Sequence, residues 1–319
     1  MTTDRTQFGQ DTTTDEVLDG IDLTGTTAMV TGASGGLGAE TARAFASRGA
    51  SVIITARNLD KAAGVVDGIK ASTGNDQVRV EELELGSFAS IRRFADRIND
   101  GVESLDILAN NAGVMVCPYG TTDDGFETQF GTNHLGHFLM TCLIAPTLVT
   151  GGPTRVVSLS SRGHHLSPVV FDDINYERRE YEKWGSYGQS KTANVLFAVE
   201  LDRRISNQGV RALAVHPGVI MTDLARHMQQ EDFEEMQSRR SGVPMHMKTV
   251  EAGAATTVYA ATAPELENQG ALYLEDCHVA AVTDDDPNGG VRTYAVDPDL
   301  AARLWAMSEE MVGQEFPLS

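Results

Sequence analysis

The sequence predicts an α/β fold, a doubly wound and mostly parallel seven-stranded sheet in a single domain. Three observations lead there. Short β-type runs alternate with helical periodicity along nearly the whole chain. A glycine-rich turn joins the first such run to the first helical stretch. Neither an internal repeat nor a linker breaks the alternation, and strands spaced by helices pair in parallel with both faces covered.

Residues 1–23 are polar and aperiodic, and read as a flexible or loosely docked arm ahead of a domain spanning 24–319. Residues 26–30 form a first β-type run, which leads straight into Thr31-Gly-Ala-Ser-Gly-Gly-Leu-Gly38. Ala42, Phe45, Ala46 and Gly49 then mark one helical face of small residues. The glycines therefore sit at a strand-to-helix turn, where free N–H groups and the positive helix end suit a pyrophosphate. Two spacings fit dinucleotide binding: Gly32, Gly36 and Gly38, or Gly32, Gly35 and Gly38. The second strand, 51–55, ends in Ala56-Arg57-Asn58. An acid near this strand end selects NAD, whereas an arginine accommodates a 2′-phosphate. Arg57 therefore favours NADP(H) and leaves NAD(H) open, because the glycine turn has no cation of its own.

Residues 77–85 alternate as a third strand, and 87–99 follow as a helix with Phe88, Ile91, Phe94, Ala95 and Ile98 on one side. The fourth strand, 105–109, closes with Asn110-Asn111-Ala112-Gly113. A long helical stretch from about 124 to 148 carries Asn133 in its middle, which predicts a kink or a bound water. The fifth strand, 154–160, ends in Ser160-Ser161, and a charged connection covers 162–186. A helix then bears Tyr187 and Lys191. The sixth strand, 210–215, runs into His216-Pro217-Gly218. Residues 223–248 form a substrate loop, with Met228, Met236, Met245 and Met247 suited either to an adaptable apolar lid or to ordinary packing. A small-residue helix at 251–262, a seventh strand at 270–274 and a last helix at 298–312 complete the chain.

Composition narrows the function. The formal net charge of −20 argues against nucleic acid or an anionic membrane as partner. Cys117, Cys142 and Cys277 are odd in number and widely spaced, as expected of thiols in a reducing compartment. No apolar run is long enough for an anchor or a signal peptide, so a cytoplasmic location is expected. His134, His137, His164 and His165 lack acidic or thiol partners at ligand spacing, so no metal is expected.

Chemistry concentrates at Tyr187-Gly-Gln-Ser-Lys191, a tyrosine and a lysine on one helix face. A free phenol has a pKa of roughly 10, and a nearby ammonium favours its ionised form. Such a tyrosine exchanges a proton with an alcohol oxygen, and a cofactor must supply the matching hydride. The glycine turn, Asn110 to Gly113, Ser161 and His216 to Gly218 all follow strands. They therefore share the sheet's C-terminal rim, where ligands bind.

Together these motifs resemble the short-chain dehydrogenase/reductase family, in its single-domain Rossmann-type branch, over about residues 24–280. Asn-His-Leu-Gly-His137, the long Ser-to-Tyr connection and Ala-Val-His-Pro-Gly218 resemble its retinol-dehydrogenase-like group. The resemblance settles the glycine spacing on Gly32, Gly36 and Gly38, with Ser34 and Leu37 beside them at the cofactor. It implies Tyr187 as proton donor or acceptor and Lys191 on the nicotinamide ribose, where it also lowers the phenol pKa. Ser161, rather than Ser160, would orient the substrate oxygen, and Asn133 would hold a relay water. Asn111, Ala112 and Gly113 would flank the adenosine side, and Pro217, Gly218, Val219 and Thr222 the nicotinamide. Glu84, with Leu85, stands where the family often has an adenine-contacting Asp. The expected activity is NADP(H)-dependent interconversion of an alcohol and its carbonyl, on a fairly apolar small molecule, in a homo-oligomer. A non-catalytic NADP(H) sensor on the same fold is the alternative; it predicts a broken tetrad, and here the tetrad is whole.

Overall fold

A computed structural model describes residues 8–150, 152–238 and 245–318. Its strands are β1 (Thr27–Val30), β2 (Ser51–Ala56), β3 (Val78–Glu82), β4 (Ile107–Asn110), β5 (Thr154–Leu159), β6 (Val210–His216), β7 (Leu272–Glu275) and β8 (His278–Val279). They form one sheet in the order β3-β2-β1-β4-β5-β6-β7-β8. Every pairing from β3 to β7 is parallel, as the alternation of strands and helices requires. The expected sheet gains an eighth strand, β8, antiparallel to β7. Two residues carry no periodicity that a sequence reading could detect.

The helices are α1 (Thr14–Val17), α2 (Gly36–Ser47), α3 (Leu59–Thr73), α4 (Phe88–Gly101), α5 (Thr128–Phe130), α6 (Gly136–Leu143), α7 (Ala145–Thr150), α8 (Lys183–Ile205), α9 (Gln230–Ser238), α10 (Val250–Thr262) and α11 (Pro298–Val312). They cover both faces of the sheet. Consecutive strand residues point to opposite faces. Met29 and Ile53 accordingly pack with Phe94, Phe138, Phe197 and Trp305 on one side. Val30 and Ile54 pack with Phe45 and Val258 on the other. The strand order reverses between β1 and β4, so the C-terminal ends of these two strands open a crevice at the switch point.

Three regions depart from a plain reading of the sequence. The stretch 124–148 is not one helix: α5 passes through a π-helical turn, Gly131–Leu135, into α6, and α7 follows after a break at Ile144. The expected irregularity at Asn133 is this wide turn. From Phe8 onward the N-terminal arm is docked, because Val17 and Leu18 are fully buried and the Phe8 ring meets Tyr259 edge-on. Within the substrate loop a short 3₁₀ turn, Asp223–His227, precedes α9, and residues 239–244 lie outside the described residues. The long helix α8 is buried along most of its length, its outer side covered by α11 through the stacked pair Phe197 and Trp305.

Candidate active site

A cleft of about 620 Å³ lies over the switch point. Gly32, Ser34, Gly36, Leu37 and Gly38 form its floor, with Arg57, Glu84, Leu85 and Asn111 to Gly113 around it. Gly32 and Gly36 adopt φ of 65° and 57°, which L side chains resist. A Cβ at Gly32 would lie 2.7 Å from Ala112 Cβ, and one at Gly38 would lie 2.5 Å from Asn111 Nδ2. Gly35, by contrast, is extended at φ 162°, and a Cβ there would meet nothing nearer than Lys61 Nζ at 3.9 Å. The geometry thus agrees with the Gly32, Gly36 and Gly38 spacing. No side chain caps the start of α2, which leaves its first N–H groups and positive dipole facing the cleft floor. This cradle fits a pyrophosphate.

A second cavity of about 440 Å³ continues from the first, since Leu37, Asn111, Gly113, Leu159 and Thr222 line both. Ser161, Tyr187, Lys191, Pro217, Gly218 and Val219 line this second space. Tyr187 and Ser161 are neighbours there: a Cβ on Gly163 would lie 2.7 Å from Tyr187 Cε1 and 3.3 Å from Ser161 Oγ, and the serine hydroxyl favours the phenolate. Ser161 Oγ also accepts Gly163 N at 3.0 Å. Ser160 points the other way, its hydroxyl donating to Lys191 O at 2.8 Å inside α8. Lys191 Nζ donates to Leu159 O at 3.0 Å and sits 5.6 Å from the Tyr187 ring centre. Asn133 is the one predicted catalytic residue that lines neither cavity. It is fully buried behind Val114, accepting Val114 N on Oδ1 at 2.8 Å and donating Nδ2 to Val114 O and Ser190 Oγ at 2.9 Å each.

Residues 26–232 match the model of a family described as short chain dehydrogenase. The chain belongs to the short-chain dehydrogenase family. It is 40% identical over 296 residues to human (Homo sapiens) retinol dehydrogenase 13, covering 92% of this chain and 87% of that one. A crystal structure from Mycobacterium Paratuberculosis superimposes at a TM-score of 0.72 with 37% identity, over 93% of this chain and 97% of the other. A short chain dehydrogenase from Burkholderia cenocepacia, solved in complex with NADP, aligns at a TM-score of 0.63 and 26% identity, over 79% and 96%.

Burial sets the electrostatics of this dehydrogenase. It pushes the Tyr187 phenol up to about 12, against the opposing influence of the Ser161 hydroxyl. It pushes the Lys191 ammonium down to about 8. Desolvation dominates the phenol, and the lowering expected from the Lys191 charge does not figure among the causes of its shift. Arg57 and Glu84, both expected at the adenosine end, meet each other, with Nη1 3.3 Å from Oε2 and both side chains partly exposed. Lys61 makes a similar link across the cleft mouth, 2.8 Å to Asp223. Among the described residues no helix is long and apolar enough to cross a membrane.

Sequence reasoning missed one residue of the dehydrogenase that joins the parts. His137 Nδ1 lies 2.9 Å from Asn133 O, a carbonyl that only accepts, so Nδ1 carries the proton. Its bare Nε2 then accepts from the Thr31 hydroxyl at 2.9 Å. The Thr31 oxygen in turn accepts Asn111 N at 2.9 Å and Ala112 N at 3.0 Å. Burial, assisted by the Lys191 charge, pushes His137 down to about 4, so the ring stays neutral and the chain of bonds intact at ordinary pH. The one sequence signal was a histidine four residues after Asn133 on a helix.

Thr31→Val strips a partner from the buried His137 ring and from two part-buried backbone N–H groups and should cost about 1–3 kcal/mol. His137→Phe added to it should cost clearly less than the two single losses summed, as urea unfolding of the four proteins would report. Strict additivity would mean that the two side chains do not interact. A second prediction concerns pH. Between about 8 and the ordinary 10.5, the unfolded chain holds the Lys191 proton more tightly than the folded protein does. Stability contributed at this position therefore rises with pH across that window. Cofactor-free wild type should gain on Lys191→Met in urea midpoint as pH climbs through it, whereas parallel curves would contradict the depressed lysine.

Proposed function

We propose that this dehydrogenase interconverts an alcohol and its aldehyde or ketone with NADP(H), on a largely apolar small molecule. The observation that carries the reading is the placement of Tyr187 beside Ser161 on the wall of a cavity continuous with the glycine cradle. NADP(H), when bound, supplies or accepts the hydride. Gly32, Gly36, Gly38 and the start of α2 would hold its pyrophosphate, and Arg57 the 2′-phosphate. Asn111, Ala112, Gly113, Glu84 and Leu85 would flank the adenosine, and Pro217 to Val219 with Thr222 the nicotinamide. The NADP held by the Burkholderia relative supports this choice of cofactor.

The chain's own groups handle the oxygen and the proton. Ser161 and Tyr187 fix a substrate oxygen between two hydroxyls. A phenol pushed up to about 12 is protonated at neutral pH, so it can donate to the oxygen as a carbonyl is reduced. In the oxidative direction the phenolate must form, and the Lys191 cation 5.6 Å from the ring centre favours it. Gly113 leaves Lys191 room: a Cβ there would lie 3.6 Å from Nζ and 3.1 Å from Asn133 Oδ1. Asn133 O accepts from His137 and has a second lone pair for the relay water. Met221, Met228, Met236, Phe233 and Trp184 make the cavity walls apolar, in keeping with the retinol dehydrogenase named among the relatives. A cytoplasmic location and a homo-oligomeric state belong to the same reading. Self-association would use a face other than α8, which α11 covers.

Tyr187→Phe should lower kcat by about 10²–10⁴-fold while NADPH fluorescence titration shows near-native affinity. Retained turnover would refute the proton-transfer role. Arg57→Ala should weaken NADPH by about 10- to 100-fold and leave NADH nearly unchanged. Equal losses for both would remove the basis for the cofactor preference.

A further inference from the structure

The second cavity carries a charge pattern that the apolar reading does not explain. Arg162, Lys191 and Arg292 are the charged residues along its described walls, and no Asp or Glu lines it. The whole chain holds 45 acidic residues against 25 basic ones. A wall that merely sampled this composition would be mostly acidic.

The two arginines are also without carboxylate partners among the described residues. Arg162 Nη1 donates to Asn288 O at 2.9 Å. Arg292 donates Nη1 to Thr283 O at 2.7 Å and Nη2 to His165 Nδ1 at 3.0 Å. His165 gives its own proton to Gly290 O at 3.0 Å, so Nδ1 is a neutral acceptor. Asp284 is near enough to feel the Arg292 charge but forms no ion pair with it, and the nearby acids spend their hydrogen bonds on other groups. Asp284 accepts Thr293 N at 3.0 Å and Thr293 Oγ1 at 2.6 Å. Asp286 accepts Asn288 N at 2.8 Å, and Glu275 accepts Gly290 N at 2.8 Å. Each guanidinium has five N–H donors in a planar fork, so donors remain on both. Two such forks whose hydrogen-bond partners are all neutral, at the wall of one cavity, have the chemistry that recognises a carboxylate.

We propose that the substrate of this cavity is an oxo acid or hydroxy acid, with an apolar body and a carboxylate held by Arg162 and Arg292. The inference rests on the oxidoreductase reading above for its reacting group. The carboxylate itself is recognised independently of that chemistry. The Met and Phe side chains cover the apolar body, and the arginine forks give the substrate its direction in the cavity.

The test uses the full chain with NADPH and pairs of oxo fatty acids and their methyl esters, over several chain lengths. The acid of the best pair should exceed its ester in kcat/KM by about 10-fold or more. Arg292→Gln and Arg162→Gln should each raise KM for the acid about 10- to 100-fold, leaving kcat and the ester nearly unchanged. Arg292→Lys keeps the charge without the fork and should fall in between. Thermal melting of each variant shows that it is folded. Equal use of acid and ester by wild type, or equal loss of both in the variants, overturns the proposal. Calorimetry with decanoate and methyl decanoate on the enzyme with NADP⁺ separates the two layers of argument. Tighter decanoate binding that Arg292→Gln abolishes supports the carboxylate receptor even if no carbonyl is turned over, and only the hydride reading then fails. Equal binding of both probes sinks the receptor whatever the turnover.

Discussion

The hydroxyl of Thr31 fixes the place where the sheet reverses direction. It stands at the end of β1, accepts two backbone N–H groups from the segment after β4, and donates to His137. Three elements far apart in sequence are thereby locked to one oxygen. The approach is close because Gly32 has no side chain to collide with Ala112. Were this junction looser, the cradle at α2 and the Asn111-to-Gly113 wall would drift apart, and the crevice between them would lose its shape. His137 carries the same constraint one step further, to the carbonyl of Asn133. The glycine cradle and the backbone at Asn133 are therefore tied into one unit.

Burial then does to the acid–base pair what no single neighbour could. It raises the Tyr187 phenol and lowers the Lys191 ammonium, because each shift disfavours the charged form. The outcome is a neutral acid beside a cation that gives up its proton more readily than usual. In the reductive direction this suits a proton donor held ready against a substrate oxygen.

The sheet and its rim were legible because backbone demands leave marks on residue type. β-branched runs, glycines where φ is positive and small residues at a close approach all follow from sterics that act locally. The Tyr187 and Lys191 spacing was legible because helical geometry alone puts them on one face. What escaped the sequence depends on contacts between distant segments. The π-helical turn at Gly131–Leu135 is held by Asn133 bonding to Val114 and Ser190, 19 and 57 positions away. The partnership of His137 with Thr31 spans 106 positions. The direction of the Tyr187 shift went against the sequence argument because a sequence shows a charged neighbour but not the depth of burial. The docking of Val17 and Leu18 was hidden by the polar residues around them, since two apolar side chains make no period.

The two cavities differ in how their cations are kept. In the first, Arg57 faces Glu84 and Lys61 faces Asp223, so a phosphate entering there exchanges one anion for another. Such exposed pairs cost little to break. In the second, Arg162 and Arg292 rest on carbonyls and a neutral imidazole, with no anion to displace. A chain of net charge −20 repels anions at long range, which makes cations without a carboxylate ion pair inside it conspicuous. Low dielectric strengthens their attraction for an anion that arrives with enough apolar surface to enter. On the proposal above, selectivity in the second cavity would come from a conjunction: apolar walls that disfavour small hydrophilic acids, and arginines that favour an acid over a neutral lipid.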